Sequence, residues 1–154
     1  MDLVDWLRAH VAPGMHVLDI ATGTGLAAEA ALGVIGAAGH VTAADLSPAM
    51  VEKARQRLGN VKNVSLAVED GQALSYPDES FDAVVCSLGL MFFPDPLRAL
   101  AEFRRVLRPG GRAAISVNTV RDPKSRHLHR AARQASVAPF PRRRHQCPTS
   151  AATR

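Results

Sequence analysis

The chain has 154 residues, 47% of them hydrophobic and 5% aromatic, with a formal net charge of +5. That length accommodates one domain whose single core buries roughly 70% of the unfolded surface, and it excludes a second domain of ordinary size. The charge is unevenly placed: residues 1–120 hold ten Lys/Arg against thirteen Asp/Glu and 121–154 hold nine against one, so the patterned body is acidic and offers nucleic acid no attraction.

The N-terminus, Met1-Asp2-Leu3-Val4-Asp5-Trp6, carries acids rather than the basic start of a leader, and no apolar stretch approaches ~18 residues, so membrane insertion is not expected. A first helix containing His10 precedes the patterned region. From 15 to 117 strand and helix signals alternate, the arrangement of parallel strands joined by crossover helices. Strands are predicted near 15–20, 40–44, 63–68, 81–86 and 112–117, with helices filling the gaps. Each strand is short, apolar and rich in Val, Ile or Leu, as strands covered on both faces are.

Ser47-Pro48 predicts a helix start: the hydroxyl caps free N–H groups, and proline at the first helical position loses nothing by lacking its own. That helix runs to Leu58 and stops at Gly59-Asn60. Asp95-Pro96 repeats the device, after which Leu97, Leu100, Phe103 and Leu107 recur at helical spacing until Pro109 forbids continuation. Gly110-Gly111 turns the chain into the last strand. Beyond Val120 the pattern collapses into prolines at 123, 139, 141 and 148 and the run Arg142-Arg143-Arg144. With too few apolar residues to offset ordering entropy, this tail is expected to be disordered, apart from a helical turn around His127–Ala135.

The chemistry concentrates at the first strand. Val17-Leu18-Asp19-Ile20-Ala21-Thr22-Gly23-Thr24-Gly25 is a strand that ends in an acid and a turn with two glycines; one helix length later the second strand ends at Asp45. Open α/β sheets hold a nucleoside in this way. Gly23 and Gly25 permit tight φ/ψ values and keep side chains away from the backbone N–H groups. Asp45 lies where ribose hydroxyls can donate to it. Gly23-x-Gly25-x-x-Ala28 with Asp45 twenty residues on also fits a dinucleotide fingerprint, so an NAD(P)-binding oxidoreductase stands as an alternative.

The order of residues resembles the class I S-adenosylmethionine-dependent methyltransferases, in particular the branch related to ubiquinone and menaquinone biosynthesis, over about residues 6–118. The motif around Asp19 is followed by Asp45-Leu46-Ser47-Pro48-Ala49-Met50, Glu69-Asp70-Gly71-Gln72-Ala73-Leu74, Phe81-Asp82-Ala83-Val84-Val85 and Arg105-Val106-Leu107-Arg108-Pro109-Gly110-Gly111-Arg112, each similar to a family motif in order and spacing. The resemblance implies an S-adenosylmethionine site in which Asp19 faces the methionine amino group, Gly23 and Gly25 let the cofactor approach the main chain, and Asp45 takes the ribose hydroxyls. It further implies Met50 against the adenine face, Asp70 as acceptor for the adenine amino group and Ser87 near the reacting end. Thr22, Thr24, Leu46, Gly71 and Gln72 complete the cofactor-binding set. The residues agree with it: a sulfonium, an ammonium, a diol and an exocyclic amine all call for acceptors, and the nearest Lys or Arg after Gly25 is Lys53.

The expected fold is an α/β, Rossmann-like three-layer sandwich with a mainly parallel sheet of about five strands, lacking the antiparallel C-terminal strands usual in the family. Residues 1–120 form the incomplete methyltransferase domain and 121–154 a basic tail, which reads as a truncation or an altered reading frame. The expected activity is methyl transfer to a small-molecule acceptor in the cytoplasm, with a non-catalytic remnant as a further alternative. No catalytic base is assigned, because His10, His16 and His40 occupy no catalytic position. Plainer readings compete at single residues: Asp70 as a turn former before Gly71, Met50 as core, and Phe92-Phe93-Pro94 as either packing or an acceptor wall. His127, His129, His145 and Cys147 have neither the spacing nor the context of a metal site, and the Arg-rich tail with Phe140 as its lone aromatic lacks the stacking groups of an RNA binder. Cys86 in an apolar strand and Cys147 in the tail make no disulfide framework, which suits a reducing compartment.

Overall fold

Five strands form where the apolar runs fall: β1 (His16–Ile20), β2 (His40–Asp45), β3 (Val64–Val68), β4 (Phe81–Ser87) and β5 (Leu107–Ser116). The computed structural model describes residues 2–118; the expectations for 121–154, among them the His127–Ala135 turn, the His127, His129, His145 and Cys147 group, Phe140 and the arginine run, lie outside the described residues. All four strand pairings are parallel, in the order β3-β2-β1-β4-β5. The chain therefore moves outward from β1 to β3, then returns across the sheet to β4 on the other side of β1. That reversal opens a crevice at the carboxyl ends of β1 and β4, the place where open α/β sheets bind ligands.

Helices α1 (Leu3–His10), α2 (Leu26–Ile35) and α3 (Pro48–Leu58) alternate with the first strands, and α4 (Pro96–Val106) precedes β5. Alternation of side chains along β1 divides the core. Val17 belongs to the cluster containing Trp6, Leu7, Ala28, Ala31, Ile35 and Leu58, whereas Leu18 and Ile20 belong to the opposite one with Phe81, Phe103 and Val106. The same period puts Asp19 on the side of Val17, beneath α2. Alanines at 27, 28 and 31 keep α2 thin enough to lie close on the sheet, and all three are buried.

Four expectations need correction. Ser47 precedes α3 but its hydroxyl caps nothing; its backbone N–H instead donates to Asp45 Oδ1 at 2.9 Å. Leu97 does not belong to the buried stripe of α4, being 77% exposed, and Leu107 lies in β5. Ala99, Phe103 and Val106 form that stripe instead. β5 starts before Pro109, with Leu107 opposite Phe81, and slips so that Ala83 pairs with Arg112. Residues 108–111 bulge out there, with Gly110 at φ +84°, because proline cannot donate to the ladder.

The fourth correction bears on the site. No helix fills 69–80; the segment crosses the α4 face as turns, and side chains satisfy its backbone. Arg105 on α4 uses all five of its donors: Nε and Nη2 to the Glu102 carboxylate, Nη1 to Tyr76 O and Asp78 Oδ1, Nη2 to Leu74 O, at 2.8–2.9 Å. Glu102 Oε2 also accepts from Leu74 N at 2.9 Å. Arg105 thus replaces the hydrogen bonds a crossover helix would have made for itself.

Candidate functional site

The glycine-rich turn is wound tightly. Ala21 and Gly23 both adopt φ +56° and Gly25 φ +87°, so three of five residues are left-handed, one of them an alanine that has no intrinsic preference for it. Thr22 N donates to Ala44 O at 3.0 Å and Gly25 N to Thr22 O at 2.9 Å, sealing the turn to β2. A Cβ at Gly23 would meet nothing within 4 Å, whereas one at Gly25 would come 3.1 Å from Leu58 and 3.4 Å from Ala54. Gly23 thus borders open space, and Gly25 lets α3 pack against the start of α2. Arg57 braces the same turn from α3, donating from Nε to Thr24 O at 3.0 Å.

Two N–H groups of this turn already have partners within the protein. Gly23 N donates to Asp45 Oδ2 at 2.9 Å, and Gly25 N is spent on Thr22. Asp45, at the end of β2, therefore binds the backbone through both oxygens, to Gly23 and to Ser47. Each oxygen keeps a lone pair free.

Asp19 is 1% exposed. Its Oδ2 accepts from Thr22 Oγ1 at 2.6 Å, while its Oδ1 is buried without a hydrogen-bond partner. Burial pushes this carboxyl up to about 7, against the pull of the Thr22 hydroxyl and of the nearby Ala28 backbone N–H, which stands outside hydrogen-bonding geometry, with a further push from Asp45. An orphaned acceptor that is also easily protonated is a costly object in a core, and such groups concentrate at functional sites.

Asp70 lies two residues beyond β3. Its Oδ1 accepts from Gln72 N at 2.9 Å and from Gln72 Nε2 at 3.2 Å, so the turn-forming reading holds at the level of the backbone. Gly71 is obligatory for a different reason: a Cβ there would lie 2.7 Å from the Phe93 ring and 3.0 Å from Ile20. Phe93 packs, edge to face, against Phe103 with ring centroids 6.3 Å apart. Phe92 is 81% exposed, so of the two phenylalanines Phe93 is the one that packs. Leu46 is 66% exposed and Met50, on the first turn of α3, is half-buried, so Met50 is not core.

Ser87 closes β4, its Oγ 3.3 Å from Ser116 Oγ at the end of β5. Leu88 follows at φ +58°, held there by Ser116, whose carbonyl and hydroxyl both accept from Leu88 N, at 2.9 and 3.1 Å. A Cβ on Gly89 would collide with Ala21 Cβ and stand 3.0 Å from Cys86 Sγ. Between the two lips of the crevice, Ala21–Thr22 and Leu88–Gly89, Gly89 thus lies against Ala21. Sequence reasoning missed Ala21, Arg57, Gly89 and Ser116; only Gly89, a single glycine two residues past the end of a strand, carried a usable signal.

Other groups stand aside. His16 and His40 open β1 and β2 at the amino ends of the strands, away from the crevice, with rings 6.2 Å apart, and His10 bonds Trp6 O through Nδ1. Burial pushes the Cys86 thiol up to about 12, with Asp19 adding to it, so it is no nucleophile at neutral pH. No cluster of His, Cys, Asp and Glu among the described residues has the geometry to hold a metal. What remains is an acceptor-rich set, Asp19, Asp45 and Asp70, at or just beyond the carboxyl ends of three adjacent strands, with exposed leucines beside it.

Residues 18–115 match the family described as a methyltransferase domain. The chain is 44% identical over 109 residues to the ubiquinone/menaquinone biosynthesis C-methyltransferase of Bordetella avium, covering 70% of this chain and 43% of that protein. It is 46% identical over 107 residues to the demethylmenaquinone methyltransferase of Clavibacter sepedonicus, covering 68% and 42%. Among solved structures, a SAM-dependent methyltransferase from Aquifex aeolicus superposes with a TM-score of 0.71 at 26% identity, covering 79% of this chain and 69% of that one. The chain spans less than half the length of the two relatives in sequence.

Proposed function

This chain belongs to the methyltransferase-domain family, and from that premise we propose that it binds S-adenosylmethionine in the crevice between β1 and β4 and transfers a methyl group to a small molecule. The observation that carries the reading is the orphaned, buried Oδ1 of Asp19, an acceptor of the kind an ammonium group satisfies. The rest of the donor set agrees with the same ligand. Asp45 has spare lone pairs for a diol, Asp70 Oδ2 accepts no bond among the described residues, and Leu46 and Met50 supply apolar surface for a base.

When bound, the cofactor supplies a methyl group already activated on sulfonium. The chain's own residues orient and hold: Asp19 fixes the amino end, Asp45 the ribose, Asp70 the base, and the Leu88–Gly89 lip shapes the side from which the acceptor approaches. Alignment of this kind is worth up to ~7–11 kcal/mol, and a base is needed only for an acceptor that arrives protonated. The proposed acceptor is a ring carbon of a quinone-type molecule, supported by the names of the two relatives and by the exposed Leu88, Met91 and Phe92 beside the crevice. A cytoplasmic site of action belongs to this reading. Among the described residues no helix is long and apolar enough to cross a membrane.

Calorimetric titration of the full chain with S-adenosylmethionine and with NADH tests the reading. Saturable binding of S-adenosylmethionine alone is expected. A preference for NADH supports the dinucleotide alternative, and silence with both supports the non-catalytic remnant.

A further inference from the structure

Gln72 stands on the segment between β3 and β4, and its side-chain amide is engaged at both ends. Its Oε1 accepts from Asp95 N at 2.8 Å, and its Nε2 donates to Asp70 Oδ1 at 3.2 Å. A backbone N–H is a donor only, so the amide oxygen must face Asp95 and the NH₂ must face Asp70; the bonding pattern itself removes the usual uncertainty about which way an amide points. Gln72 N donates to the same Asp70 oxygen at 2.9 Å. Two donors therefore hold Oδ1 and fix the plane of the carboxylate, and Oδ2 alone is left to meet a ligand. The anchor at the far end is firm. Asp95 caps α4 through Arg98 N at 3.0 Å, and the adjoining Phe93 ring fills the space beside Gly71.

We infer that Gln72 is a positioning residue that makes Asp70 a single-oxygen reader of the purine 6-position, selecting a 6-amino over a 6-oxo base. This rests on the S-adenosylmethionine reading of the crevice and adds to it the residue that sets base specificity. Oδ1 is turned towards the protein's own donors, so the free oxygen presents an acceptor. An exocyclic amine completes it; a 6-oxo group places acceptor against acceptor.

The test uses the full chain and two probes, S-adenosylhomocysteine and its 6-oxo analogue S-inosylhomocysteine, titrated against the wild type, Gln72→Met and Asp70→Asn, with melting temperatures recorded alongside. The wild type is expected to prefer the adenosyl probe by about tenfold or more, the value of one bond to a charged group. Gln72→Met keeps the length but loses the donor, and its preference is expected to shrink about threefold or more, as for a neutral bond. In Asp70→Asn, Gln72 still requires an oxygen at the Oδ1 position. The new NH₂ then takes the place of Oδ2, and the preference is expected to reverse towards the inosyl probe. A merely structural role for Gln72 lowers both affinities together and leaves their ratio unchanged; that result, or an Asp70→Asn variant that still prefers the adenosyl probe, overturns the inference alone. A wild type that binds neither probe overturns the reading of the crevice and the inference with it.

Discussion

Replacing Asp19 by asparagine is expected to change the stability of the ligand-free protein by an amount that depends on pH in a calculable way. Burial raises this carboxyl from 3.8 to about 7, so the folded state holds the proton more tightly than the unfolded one. A raised acid contributes its full stability below the unfolded value, and that contribution drains away as pH climbs from about 4 to about 7. Each unit is about 1.4 kcal/mol. Between pH 5 and pH 8 the wild type therefore loses roughly two units of it, about 3 kcal/mol, that asparagine does not lose. Asparagine carries its own penalty, an amide group without a full set of partners, of ~1–3 kcal/mol. That penalty does not titrate and cancels when the two pH values are compared. Urea unfolding of both proteins at pH 5 and pH 8, without ligand, should show the variant gaining on the wild type by about 3 kcal/mol over this interval. A stability difference that stays flat with pH would refute the assignment of a buried, desolvated carboxyl to this position.

Three further substitutions separate contact from conformation and side chain from backbone. Gly89 has an ordinary φ of −91°, so Gly89→Ala acts only through collision with Ala21 and Cys86 and is expected to cost ~1–3 kcal/mol; Gly23→Ala, in open space, costs only its left-handed backbone, about 1 kcal/mol, and melting temperatures that reverse this order count against the contact between the two lips. Arg105→Met leaves Leu74 O and Tyr76 O without their donor and Glu102 with only the Leu74 N–H. It is expected to destabilise by ~1–3 kcal/mol and to make 69–80 the first segment cut in limited proteolysis; cleavage elsewhere first sinks the claim that Arg105 organises this segment.

What the sequence disclosed depended on how local the cause was. β1, β2 and β4 are continuous apolar runs because both faces are covered, and that pattern needs no partner to be read. Asp19, Asp45 and the two turn glycines were legible for the same reason: strand, acid and turn follow one another within a few residues. The failures all involve distant partners. Ser47 looks like a cap until Asp45 takes its N–H, and the helix expected after β3 is absent because Arg105, some thirty residues on, satisfies that backbone instead. Leu97 matches the helical period but falls on the solvent side, since Ala99, Phe103 and Val106 fit the sheet better. The bond from Ser116 to Leu88 joins two strand ends 28 residues apart, and nothing near either residue advertises it.

Asp45 has a consequence for the energetics of recognition. Because Gly23 and Ser47 already immobilise its carboxylate from either side, a sugar arriving in the proposed complex has no rotamer to freeze. Association at this corner should register as heat released rather than as freedom surrendered. The same fastening means that the turn and the sugar contact form a single thermodynamic unit, so tightening or relaxing one without the other is not open to mutation at this position.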